Sequence, residues 1–103
     1  MKDKKLAFIE AIIKNNTKLV KKFLAEGMSP NVYLDADKIS PLHFAAQNNA
    51  VDVIPLLVDA GADLHAVAQT TGQTVLDVAI LSKHPKIIQL LNFYLNRFSE
   101  IKH

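Results

Sequence analysis

One spacing limits what this chain can fold into. Ser40-Pro41-Leu42-His43-Phe44-Ala45 is followed 34 residues later by Thr74-Val75-Leu76-Asp77-Val78-Ala79, with no gap. Moving the same distance back from Leu42, Ala45, Val53, Ile54, Leu57 and Gly61 lands on Phe8, Ala11, Leu19, Val20, Phe23 and Gly27. A third copy, worn at its start, therefore occupies the amino terminus. A period of this size is the mark of a stack of small units, none of which can bury its apolar face alone.

Each unit reads as two helices. Phe8, Ile9, Ile12 and Ile13 recur at helical spacing, and Leu19, Val20, Phe23 and Leu24 do so again after a break at Asn15-Asn16. Gly27 and Gly61 are placed to end the second helix, because glycine takes a left-handed turn without steric penalty. Ser40 and Pro41 read as cap and first residue of a helix, and Thr74 with Asp77 as a reciprocal cap. Pro55 falls inside the second helix of the middle unit and predicts a kink or a late start. The spacing predicts helices near 5–14, 18–26, 41–48, 51–60, 75–82 and 86 to about 98. The final helix has no glycine to stop it, since Leu95 stands where Gly27 and Gly61 stand before. Its apolar arc, Ile87, Ile88, Leu90, Leu91, Tyr94, Leu95, Phe98 and Ile101, leaves Phe93 outside. The overhang either folds over the end of the stack as a cap, the favoured reading, or offers an apolar patch to a second chain or a partner.

The motif Ser-Pro-Leu-His-x-Ala, the apolar run from Val53 to Val58 and the sequence Gly61-Ala62-Asp63 together resemble the ankyrin repeat. The resemblance covers nearly the whole chain and is strongest in the middle copy. It implies one all-α domain over 1–103, an ankyrin-repeat solenoid of three helix-turn-helix units at about 1–34, 35–68 and 69–103. Projecting loops or short β-hairpin fingers would join them. The family period is about 33 residues, so each connector carries one residue more. The family's finger glycine is replaced by Lys38 in the first connector and present as Gly72 in the second. The resemblance also implies that His43 bonds locally and ties one finger to the next. His65 stands where the family commonly has asparagine, and a loop-bridging hydrogen bond is its expected role.

Composition narrows the function. Half of the 103 residues are apolar and 21% are charged, a folded and not a disordered balance. There is no cysteine, hence neither a disulfide nor a thiolate metal site, which fits a cytoplasmic setting. Glu10 and the lack of a small-x-small site argue against a signal peptide at the start, and no apolar stretch approaches bilayer length. The net charge of +2 is banded: seven lysines against three acids in residues 1–27, then Lys38 against six aspartates in 28–82. No uniform basic face exists for nucleic acid. Lys14, Lys18, Lys21 and Lys22 read as a solvated helix face.

His43, His65, His84 and His103 are scattered without ligand spacing, so no metal is expected. Asp35 and Asp37 lie on a loop tip with no nucleophile or histidine beside them. Phosphate loops and nucleophilic constellations are absent, so neither a catalytic site nor a cofactor is expected. What remains is recognition of another protein, as adaptor or inhibitor, by a monomer without nucleic-acid or membrane partners. The resemblance puts contact positions on the concave face. The fingers give Ala36, Asp37 and Ile39, then Thr70, Thr71 and Gln73; the helices give Lys14, Phe44, Gln47, Asn48, Leu81 and Ser82. Ile39 and Phe44 are the expected apolar anchors, with partial burial between units the competing reading of Phe44.

Two alternatives stand beside this. One is a structural or dimerising module that uses its ends. The other is the binding region of a larger protein, for instance a bacterial effector imitating a eukaryotic module and delivered into a host cell. Lysine, isoleucine and asparagine usage fits an AT-rich genome, while the capped look of both ends argues against truncation.

Overall fold

The computed structural model describes residues 3–101, with side chains through Arg97. Among these residues six helices follow in pairs: α1 Lys4–Ile13 and α2 Thr17–Ala25, α3 Pro41–Gln47 and α4 Val53–Asp59, α5 Val75–Leu81 and α6 Pro85–Ile101. The first helices form one layer, with α1 on α3 and α3 on α5, and each also packs on the second helix of its own unit. The resulting body measures 44 × 28 × 23 Å. This is the expected all-α solenoid.

Two helix boundaries differ from expectation by more than one residue, each for a local reason. Val51 and Asp52 form a turn and α4 starts at Val53, so Pro55 is its third residue. The amides of a first turn have no intrahelical partner, and the missing N–H of proline costs no bond there. The late start replaces a kink. At the other end α6 runs to Ile101. The cover expected for Phe98 and Ile101 concerns side chains outside the described residues.

The caps follow the sequence. Asn16 Oδ1 accepts from the Leu19 amide at 3.2 Å. Thr74 and Asp77 exchange bonds of 3.0 Å each way. At the close of α2, Gly27 has φ +98°, which lets the Met28 amide reach the Phe23 carbonyl at 3.0 Å. Gly61 repeats this for α4.

The core is one continuous cluster. Phe8, Ile12, Val20, Leu42, Ile54, Leu57, Ile87 and Leu91 are buried, with Ala45, Ala46 and Ala79 where helices approach closely. Phe23 meets Phe8 edge-on at 5.7 Å between ring centres. In α6, Ile88, Leu90, Tyr94 and Leu95 pack partly against this core, while Phe93 is exposed and meets the Tyr94 ring. Burial, and then the nearby Asp59 carboxylate, raise the Tyr94 phenol pKa above its ordinary value.

Polar side chains also cross between units. Asn15, in the α1–α2 turn, accepts from the Asp52 amide at 3.0 Å and the Val53 amide at 3.2 Å, and donates to the Asp52 carboxylate at 2.9 Å. Asp52 makes no side-chain cap of its own. The first unit therefore caps the second helix of its neighbour.

Two stability outcomes follow. Leu57→Ala leaves a cavity at a fully buried position and is expected to cost about 2–5 kcal/mol in denaturant unfolding. Asn15→Gly removes the cap and the bond to the Asp52 carboxylate without backbone strain and should cost about 1 kcal/mol. Asn15→Ala should cost about 1 kcal/mol more, because Asn15 has φ +54° and alanine is strained there.

Candidate functional site

The connectors between units build one wall of the candidate site. The first is irregular: its tip closes with the Lys38 amide on the Asp35 carbonyl at 3.3 Å and the Asp37 amide on Asp35 Oδ1 at 3.0 Å. The second is a minimal hairpin. Val67 and Thr74 form a single antiparallel bridge, the Ala68 amide bonds the Gln73 carbonyl at 2.9 Å, and Gly72 turns the chain. The two expected finger shapes are thus both present, one in each connector.

His43 joins the two connectors, as expected. Its Nε2 lies 2.9 Å from the Gln73 carbonyl, which can only accept, so the proton sits on Nε2. Nδ1 is then an acceptor, taking the Ser40 amide at 3.3 Å and the Ser40 hydroxyl at 2.7 Å. One neutral ring completes the cap of α3 and holds the next finger. A second tie runs from the Gln69 amide to the Asp37 carbonyl at 2.8 Å, and the Thr70 hydroxyl donates to the Asp37 carboxylate. At the far end of α3, His84 Nε2 donates to the Gln47 carbonyl at 3.1 Å.

Between these ties opens a cleft of about 390 Å3. Of the contact positions expected from sequence, it gathers Ile39, Gln47, Thr71, Gln73, Leu81 and Ser82, with Ala68, Val78 and His43 completing the lining. No charged side chain lines it. Leu81 is 65% exposed, an uncovered apolar group on the rim.

The other expected positions lie outside the cleft. Lys14, Ala36, Asn48 and Thr70 are exposed elsewhere, and the Asn48 side chain donates to the Phe44 carbonyl at 2.8 Å. Phe44 is partly buried against the core. Its register mate Val78, which was not among the expected positions, lines the cleft instead, and the 34-residue offset from Phe44 is the signal that could have found it. Asp37 is exposed, yet its carboxylate and carbonyl are engaged by the next finger.

His65 differs from expectation. Its backbone amide bonds Asp63 Oδ1 at 2.9 Å, but its side chain bridges no loop among the described residues. Asn31, its register mate, makes that bridge, donating to the Gly61 carbonyl at 3.1 Å and accepting from the Asp63 amide at 2.8 Å. One period on, the matching acceptors and donors are residues 95–97, which lie inside α6 and serve its helical bonds.

Among the described residues no group of three or more histidine, aspartate or glutamate side chains could hold a metal ion. No described helix is long and apolar enough to cross a membrane. Lys38 has φ +55° where Gly72 has +70°. Removing that strain against a more flexible unfolded chain, Lys38→Gly should stabilise the protein by up to about 1 kcal/mol in thermal unfolding.

Comparison with known proteins agrees with this architecture. A family model described as ankyrin repeats, in three copies, matches residues 8–98. Ankyrin repeat domain-containing protein 49 of Bos taurus is 39% identical over 66 residues, covering 64% of this chain and 28% of that protein. The potassium channel GORK of Arabidopsis thaliana is 34% identical over 90 residues, 87% of this chain and 11% of the channel. The putative ankyrin repeat protein FPV222 of Fowlpox virus is 30% identical over 94 residues, 91% of this chain and 12% of that protein. The chain thus spans well under a third of each of these relatives.

Proposed function

Because the chain belongs to the ankyrin-repeat family, whose members are generally protein–protein interaction modules, we propose that it is a non-catalytic adaptor or inhibitor binding a partner protein through the concave cleft. The observation that carries this reading is the cleft itself: an uncharged trough with Ile39, Val78 and Leu81 as apolar surface beside Gln47, Thr71, Gln73 and Ser82. Uncovered Leu81 is the anchor in this proposal, since desolvated apolar side chains carry more binding energy than their polar surroundings. The amide and hydroxyl groups would orient a partner segment without a charge pair. Of the two contact positions Asp37 and Gln47, the reading keeps Gln47, whose side chain has no bond among the described residues, while the Asp37 carboxylate is engaged by Thr70.

The test is Leu81→Asp combined with Gln47→Ala in a titration against the partner recovered with the intact chain. Affinity should fall at least about tenfold while the melting temperature stays within a few degrees, because both positions are exposed. Unchanged affinity would overturn the reading. The dimerising alternative draws on exposed Ile80 and Phe93 in the last unit. It would show as a concentration-dependent sedimentation coefficient that the double substitution leaves intact.

A further inference from the structure

The repeat register lets each exposed side chain be compared with its counterparts in the other units. Leu19 holds the place of Val53 and Ile87, which are fully buried, yet Leu19 is 36% exposed. Inside the stack this position adjoins the preceding unit, whose Asn15 bonds the Val53 amide. In the first unit the same position is exposed on α2. Asn16, Lys18 and Lys22 surround it in a shallow cleft of about 360 Å3. Long lysine stems extend apolar surface while their ammonium groups stay in water. Lys18, Lys21 and Lys22 are exposed, and no carboxylate pairs with them among the described residues. Glu26, one turn beyond Lys22, bounds the patch.

We propose that this exposed surface of α2 is a second docking site, for an acidic protein segment that seats an apolar side chain on Leu19 and sets carboxylates against Lys18 and Lys22. The charge selects the occupant. Continuing the stack with another copy would place Lys83, the register mate of Asn15, against Lys18, the register mate of Asp52. A hydrogen bond inside the chain would become a like-charge contact between chains. A nucleic-acid backbone calls for cations along a track, whereas these lysines cluster about one leucine. The inference stands on the register and charge of the first unit and is independent of the concave cleft.

The probe is a short synthetic peptide with one leucine between two runs of glutamate, titrated into the isotopically labelled full chain while amide shifts are followed. Saturable shifts should centre on residues 16–22. Lys18→Glu with Lys22→Glu should weaken binding at least about tenfold at unchanged melting temperature. Leu19→Ser should weaken it several-fold, as should removal of the peptide's leucine, and Leu81→Asp should leave it unchanged. Shifts centred on the Leu81 cleft, no saturable shift, or equal binding by the lysine double variant would overturn the proposal. So would binding of phosphatidylserine vesicles at this patch without binding of the peptide.

Discussion

No pair of helices in this chain can enclose its own apolar stripe, and the rest of the structure depends on that shortfall. Leu42, Ala45 and Ala46 on α3 are buried because α1 lies on one side and α5 on the other. The same junctions carry the polar ties: Asn15 to Asp52 and Val53, Asn31 to Gly61 and Asp63, His43 to Gln73, His84 to Gln47. Each joins a side chain of one unit to backbone of another. Apolar burial holds the units together, and the directional bonds fix their register, since a slip would strand several backbone groups at once. No buried side-chain polar atom lacks a partner among the described residues.

A stack built this way has two ends that are chemically unlike its middle. Ile80 takes the place of Ile12 and Ala46, both fully buried, and is largely uncovered; Leu19 shows the same contrast at the other end. Leu95, replacing the helix-ending glycine of earlier units, keeps α6 running, and with Leu64 and Leu76 it lines a groove at the final unit. The terminal units differ by what they leave exposed as much as by their helices.

The repeat period made the helices, their glycine stops and their serine and threonine caps legible, because these depend on a few neighbouring residues. Pro55 was legible as an anomaly, and the turn at Val51 and Asp52 resolved it. Bonds across units were harder to read. Asn15 looked like a helix break and is also its neighbour's cap; His65 looked like a bridge and has no loop to bridge. Both outcomes depend on which backbone groups lie one unit away and remain free. The cleft was legible where the resemblance carries contact positions onto the chain residue by residue, as for Gln73 and Leu81. It was less so where neighbouring packing decides, as for Phe44, or where finger meets finger, as for Asp37.

The finger ties have a consequence for how such a chain can change over generations. His43 grips the carbonyl of Gln73, and the amide of Gln69 grips the carbonyl of Asp37. Those atoms belong to the main chain and are present whatever residue stands there, proline at position 69 excepted. The side chain of Gln73 is therefore spared from holding the frame although its backbone is part of it. Contact chemistry and scaffold are written in different atoms of the same residues. A lineage can redraw its cleft by single substitutions at Gln73 or Gln47 and inherit an unaltered frame, so long as Ser40 and His43 persist, whereas Thr71 is bound to the finger because its hydroxyl accepts the Gln73 amide.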